Sequence, residues 1–124
     1  MNETLLYIGS IVIILWGIAH IIPTKAIVNG FGEISEDNRK VLTMELIAEG
    51  LTLIFLGVLP LLVTLSVGVQ DRTAGIVYLA CAVMLLVMAV LTAVTGGRTP
   101  TIWYKLCPVI KTVVAVLFIL GTIL

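Results

Sequence analysis

The stretch TAGIVYLACAVMLLVMAVLTAVT, residues Thr73 to Thr95, holds no charged side chain. At 1.5 Å of rise per residue it makes a helix about 35 Å long. That is enough to cross a hydrocarbon layer about 30 Å thick. Its ends carry helix punctuation: Asp71 stands where an N-cap belongs, and Gly96-Gly97 where a helix stops. The stretch therefore reads as a membrane span, and the rest of the chain can be read outward from it.

Three further segments have the same character. The first runs from about Leu5 to Ile22 and the second from about Val41 to Val67, within a helix beginning soon after Ser35. The last runs from about Pro108 to Leu124. Ser35 can cap the second helix, with Glu36 and Asp37 favourable in its first turn. Thr99-Pro100 reads as a cap and first helical position, so a helix over 100–124 with a break near Pro108 is expected, its opening turns (Trp103, Tyr104, Lys105) at headgroup level. Pro60 should kink the second helix. Met1-Asn2-Glu3-Thr4 lacks the Lys or Arg of a signal-peptide n-region, and the first span is read as retained. The expectation is one all-α domain over residues 1–124, an integral membrane four-helix bundle.

Composition agrees. Of 124 residues 60% are hydrophobic and only 11% charged, against about 25% charged in ordinary soluble domains. So small a body cannot hide that much apolar surface from water, which excludes a soluble enzyme and a nucleic-acid-binding module. Lys25, Arg39, Lys40, Arg98, Lys105 and Lys111 lie in or beside the first and third loops, and Arg72 alone lies in the second. By the positive-inside rule those two loops are cytoplasmic, both termini are on the non-cytoplasmic side, and the chain is a multi-pass protein of the inner cell membrane.

Ionisable groups at membrane depth are costly and so point to function. Four are candidates: His20, Glu45, Glu49 and Lys111. Glu45 and Glu49 are one turn apart on one helix face. With the hydrocarbon starting near Val41 they lie about 6 Å and about 12 Å deep. Two such carboxylates should not both stay charged; a shared proton or a neutralising cation follows. His20, the only histidine, ends the first span four residues after Trp16, at a depth similar to that of Glu45. Together Trp16, His20, Glu45 and Glu49 outline a cytoplasmic-side pocket, with Lys111 either its counter-ion or a residue snorkelling to the surface. His20, Glu45 and Glu49 do not complete a metal ligand set, and no catalytic triad, phosphate loop or Cys-x-x-Cys is present. Cys81 and Cys107 read as small buried hydrophobes.

Gly75, Ala82, Ala89 and Gly96 recur every seven residues. Such a stripe lets another helix approach closely, either within the monomer or in a homodimer. Gly9, Gly17, Gly50 and Gly57 can serve the same purpose on the first two helices.

The run Trp16-Gly17-Ile18-Ala19-His20-Ile21-Ile22-Pro23 resembles the end of the first helix in the small bacterial DoxX-like membrane proteins, compact four-span bundles. The four-span length and acidic start of the second helix are also similar. Some members of that group are linked to quinol oxidation, so the resemblance implies membrane redox work with quinone or haem as cofactor; His20 and Pro23 match the pattern. Beside it stand two readings from the residues themselves: binding or proton-coupled transport of a small lipophilic or cationic molecule, and a structural subunit of a membrane complex.

Overall fold

The computed structural model describes residues 1–124. The chain is helical throughout, with no strand: α1 spans Glu3–Ile21, α2 Thr24–Asn29, α3 Glu36–Ser66, α4 Arg72–Val94 and α5 Ile102–Ile123, with one 3₁₀ turn at Gly96–Arg98 between the last two. α1, α3, α4 with its 3₁₀ extension, and α5 are each long and apolar enough to cross a membrane.

Short-range chemistry starts the helices where orphan backbone donors need partners. The Asn2 side chain accepts from the Leu5 amide at 3.3 Å, and Ser35 Oγ accepts from the Asn38 amide at 3.1 Å. Asp71 accepts from the amides of Thr73 and Ala74. The loop after α1 coils into α2, which Arg39 ties to α3 by donating to the Asn29 side chain at 2.7 Å.

The opening of α5 differs from the sequence reading. Thr101, not Thr99, is its N-cap residue, Thr99 is extended, and the helix runs unbroken through Pro108. A proline two turns in removes only one backbone hydrogen bond. The expected interfacial turn and the last span are therefore one rod.

The four long helices pack in a ring, in the order α1, α3, α4, α5. The α1–α3 seam is built on small residues. A methyl on Gly17 would stand 2.7 Å from the Gly50 carbonyl oxygen, and one on Gly57 would stand 2.7 Å from that of Ser10. Only glycine lets the backbones come this close, which is how helices gain contact area in lipid. Leu6, Ile13, Leu53, Tyr78, Leu85, Val114 and Phe118 fill the centre. Tyr78 brings a hydroxyl into this apolar interior and pairs it with Thr64 at 2.7 Å.

Outside, the ring shows Leu15, Leu51, Phe55, Ile76, Val83, Val90 and similar side chains, a surface suited to lipid. The α4 stripe is not part of it. Gly75, Ala82 and Ala89 are buried in the chain's own core, and Gly96 lies against Tyr104. This is packing within the monomer, one of the two readings of the stripe.

The Asn2 amide donates to the Gly121 carbonyl at 2.8 Å, so both termini lie at one end. The candidate polar residues gather at the other.

Candidate functional site

Trp16 and His20 stand one turn apart on α1 and face the bundle together, as an i, i+4 pair must. Their rings meet edge to face, centroids 5.6 Å apart. His20 Nδ1 lies 3.0 Å from the Trp16 carbonyl oxygen. A carbonyl can only accept, so Nδ1 carries the proton and Nε2 of the neutral ring presents a lone pair to the site. Thr24 of α2 caps the end of α1, its hydroxyl donating to the His20 carbonyl at 3.1 Å.

From α3, Glu49 reaches the same place. Its Oε2 lies 3.9 Å from His20 Nε2, and its Oε1 accepts from the Lys111 ammonium of α5. Lys111 is fully buried, whereas the Glu49 side chain keeps 31% of its exposure. The ammonium also donates to Thr92 Oγ1 at 2.8 Å, and the Thr92 hydroxyl in turn donates to the Met88 carbonyl at 2.9 Å. This chain of bonds satisfies a charge pair that would otherwise cost several kcal/mol to hold away from water. Lys111 therefore does not snorkel. It leaves the loop-charge count, which becomes five against one.

One member escaped the sequence reading. Cys107 is buried one turn before Lys111 on α5. The Trp16 indole N–H donates to its sulfur at 3.3 Å, and His20 Nε2 lies 3.5 Å from that sulfur. The Cys107/Lys111 spacing of four, which sets both on one helix face, was the available signal. The partners 87 and 91 residues away were not visible without the fold.

Glu45 is the candidate the structure leaves outside. It is exposed, makes no hydrogen bond or ion pair, and does not line the cavity below. The two glutamates do not share one site: Glu49 is neutralised by Lys111 instead.

These groups form one wall of a cavity of about 580 Å³ between the ends of α1, α3, α4 and α5. Trp16, His20, Glu49, Thr92 and Cys107 supply its polar part. Ala19, Pro23, Ala26, Ile27 and Leu46 supply apolar wall, and Trp103 and Tyr104 stand at the start of α5. Both tryptophans of the chain line it. Its size lies in the range of small-molecule sites, about 300–1,000 Å³.

Compared with family models, with curated proteins and with solved structures, the chain matches none.

Proposed function

We propose that this protein binds a small, mostly apolar molecule with one polar end, taken from the membrane into the cavity beside Glu49. The observation that carries the reading is the cavity itself. It combines apolar and aromatic walls with one compact polar wall, the general composition of a small-molecule site. In such a site the apolar part of the ligand supplies burial energy, while the groups around His20 and Glu49 fix its orientation.

The ion pair favours a neutral ligand over a cation. Glu49 is already neutralised by Lys111, so an organic cation, which takes no lone pair from nitrogen or sulfur, would meet no unpaired carboxylate. His20 supplies what a neutral polar end needs. Its ring holds a lone pair towards the cavity and can take up a proton, being the side chain that changes charge nearest neutral pH. Coupling of binding to protons, with transport, would pass through it. A quinone, two carbonyls on an apolar ring, is one molecule of this kind, and the likeness of Trp16–Pro23 to DoxX-like proteins points the same way.

We place the site at the cytoplasmic end of a protein of the inner cell membrane. Lys25, Arg39, Lys40, Arg98 and Lys105 lie towards this end and only Arg72 towards the other. A diazirine-bearing analogue of a short-chain quinone tests the reading. Photolabelling should concentrate on Ala19, Ala26 and Leu46 and be competed away by excess unlabelled quinone. Label spread without competition over outward residues such as Ile76 and Val83 would defeat it.

A further inference from the structure

We propose that His20, Glu49 and Cys107 together form a binding site for a single zinc ion, its fourth coordination position open to the cavity. The three donors come from α1, α3 and α5, so no segment of sequence carries the site.

Two of the three donor–donor edges are close to what the ion requires. His20 Nε2, a Glu49 carboxylate oxygen and Cys107 Sγ all lie within 4.8 Å of one another. Tetrahedral zinc, with bonds of about 2.3 Å to sulfur and about 2.0–2.1 Å to nitrogen or oxygen, sets neighbouring donors about 3.3–3.6 Å apart. The sulfur–nitrogen edge is 3.5 Å. The nitrogen–oxygen edge is 3.9 Å, and about half an ångström of side-chain movement closes it. Thiolate, imidazole and carboxylate are the donors zinc takes, and three protein ligands with one open position is its usual arrangement where a further molecule must bind.

Each donor is also held in place by a neighbour outside the ligand set. The Trp16 carbonyl fixes the proton on Nδ1 of His20, which leaves Nε2 free to ligate. The Trp16 indole N–H donates to the Cys107 sulfur and holds it beside His20 Nε2. Lys111 takes Oε1 of Glu49 and leaves Oε2 turned to His20. On binding, the Cys107 thiol gives its proton to solvent and the sulfur bonds the ion. Thiolate, carboxylate and the neighbouring Lys111 ammonium sum to −1, so the loaded site carries one net positive charge, which a hydroxide or an anionic ligand oxygen at the open position offsets. All three donors line the cavity, so the open position faces it and accepts a water or a ligand oxygen. With the ion bound, Nε2 of His20 is taken and the polar end of a molecule in the cavity meets the open coordination position instead; the donor set itself does not depend on the lipophilic molecule.

Cobalt, which takes the same sites and is coloured in them, is the probe. The full chain, purified in detergent and stripped with chelator, is titrated with Co²⁺. We expect one equivalent per chain, a thiolate-to-cobalt charge-transfer band in the near ultraviolet and visible bands of tetrahedral intensity, all bleached by Zn²⁺. Cys107→Ser should lose the charge-transfer band and His20→Gln should weaken binding at least tenfold. Cys81→Ser, whose residue lies buried in α4 outside the cluster, should change nothing. Zn²⁺ should also raise the melting temperature of the unmodified chain, since it binds the folded state alone. No charge-transfer band in the unmodified protein, or a band that survives Cys107→Ser, overturns the proposal. These readouts come from the metal, so they can fail while quinone photolabelling succeeds, and the reverse.

Discussion

Replacing Glu49 with Gln removes the only anion facing a fully buried ammonium. Lys111 has no exposure at all, and its one remaining partner is the neutral hydroxyl of Thr92. Removing one partner of a buried ion pair costs about 3–5 kcal/mol, because the other charge is stranded. The reverse change, Lys111→Met, strands a carboxylate that keeps 31% exposure towards the cavity. Water or a proton can reach it there, so we expect a smaller loss, about 1–3 kcal/mol. When both partners go, as in Glu49→Gln with Lys111→Met, neither charge remains, and replacing a whole pair by uncharged side chains of similar volume is often nearly neutral. The double variant should therefore be more stable than Glu49→Gln alone by about 2 kcal/mol or more. Unfolding in mixed micelles, followed by helical circular dichroism against added denaturing detergent, measures all four proteins of the cycle. The order of stability should be unmodified, Lys111→Met, Glu49→Gln. A Glu49→Gln variant within about 0.5 kcal/mol of the unmodified protein, or a double variant no better than it, would show that the pair is not buried as described.

Other consequences follow from particular contacts. Gly57→Ala puts a methyl 2.7 Å from the Ser10 carbonyl oxygen and as near the side chains of Ile13 and Ile14; overpacking of this kind costs about 1–3 kcal/mol, visible as a lower melting temperature. Tyr78→Phe leaves Thr64 its bond to the Pro60 carbonyl at 2.7 Å. It should therefore lose only about 0.5–1.5 kcal/mol, with photolabelling of the cavity unchanged. A reporter enzyme fused after Leu124 should be active only on the non-cytoplasmic side, and cytoplasmic activity would reverse the proposed orientation.

Much of the architecture was legible because it depends on short-range patterns. An uncharged run fixes a span by its length alone, and Ser35 and Asp71 mark helix starts through bonds that reach only three residues. Trp16 with His20, and Glu49 as a deep charge, could likewise be seen from spacing on single helices. What could not be seen depends on rotation and topology. Glu45 is four residues from Glu49, which leaves about 40° between them around the axis. That offset and one turn of rise separate an exposed residue from one on the cavity wall. Cys107 looked inert since its partners sit on another helix far along the chain. The break expected at Pro108 overweighted a local rule: one missing backbone bond near the start of a helix does not end it. The small residues of α4 had two readings, and that three of them are buried within the chain depends on how the helix is turned, which spacing alone does not show.

The most direct test of the proposed binding site is native mass spectrometry of the intact chain, released from detergent, beside Ala19→Trp. Ala19 lines the cavity and touches none of the polar bonds, so a large ring there fills the space and leaves the Glu49–Lys111 pair alone. We expect the unmodified chain to carry one bound apolar molecule of defined mass, exchangeable for added short-chain quinone, and Ala19→Trp to carry none while remaining fully helical. A chain that carries only random lipid, identical in both proteins and unaffected by quinone, would contradict a ligand site beside Glu49.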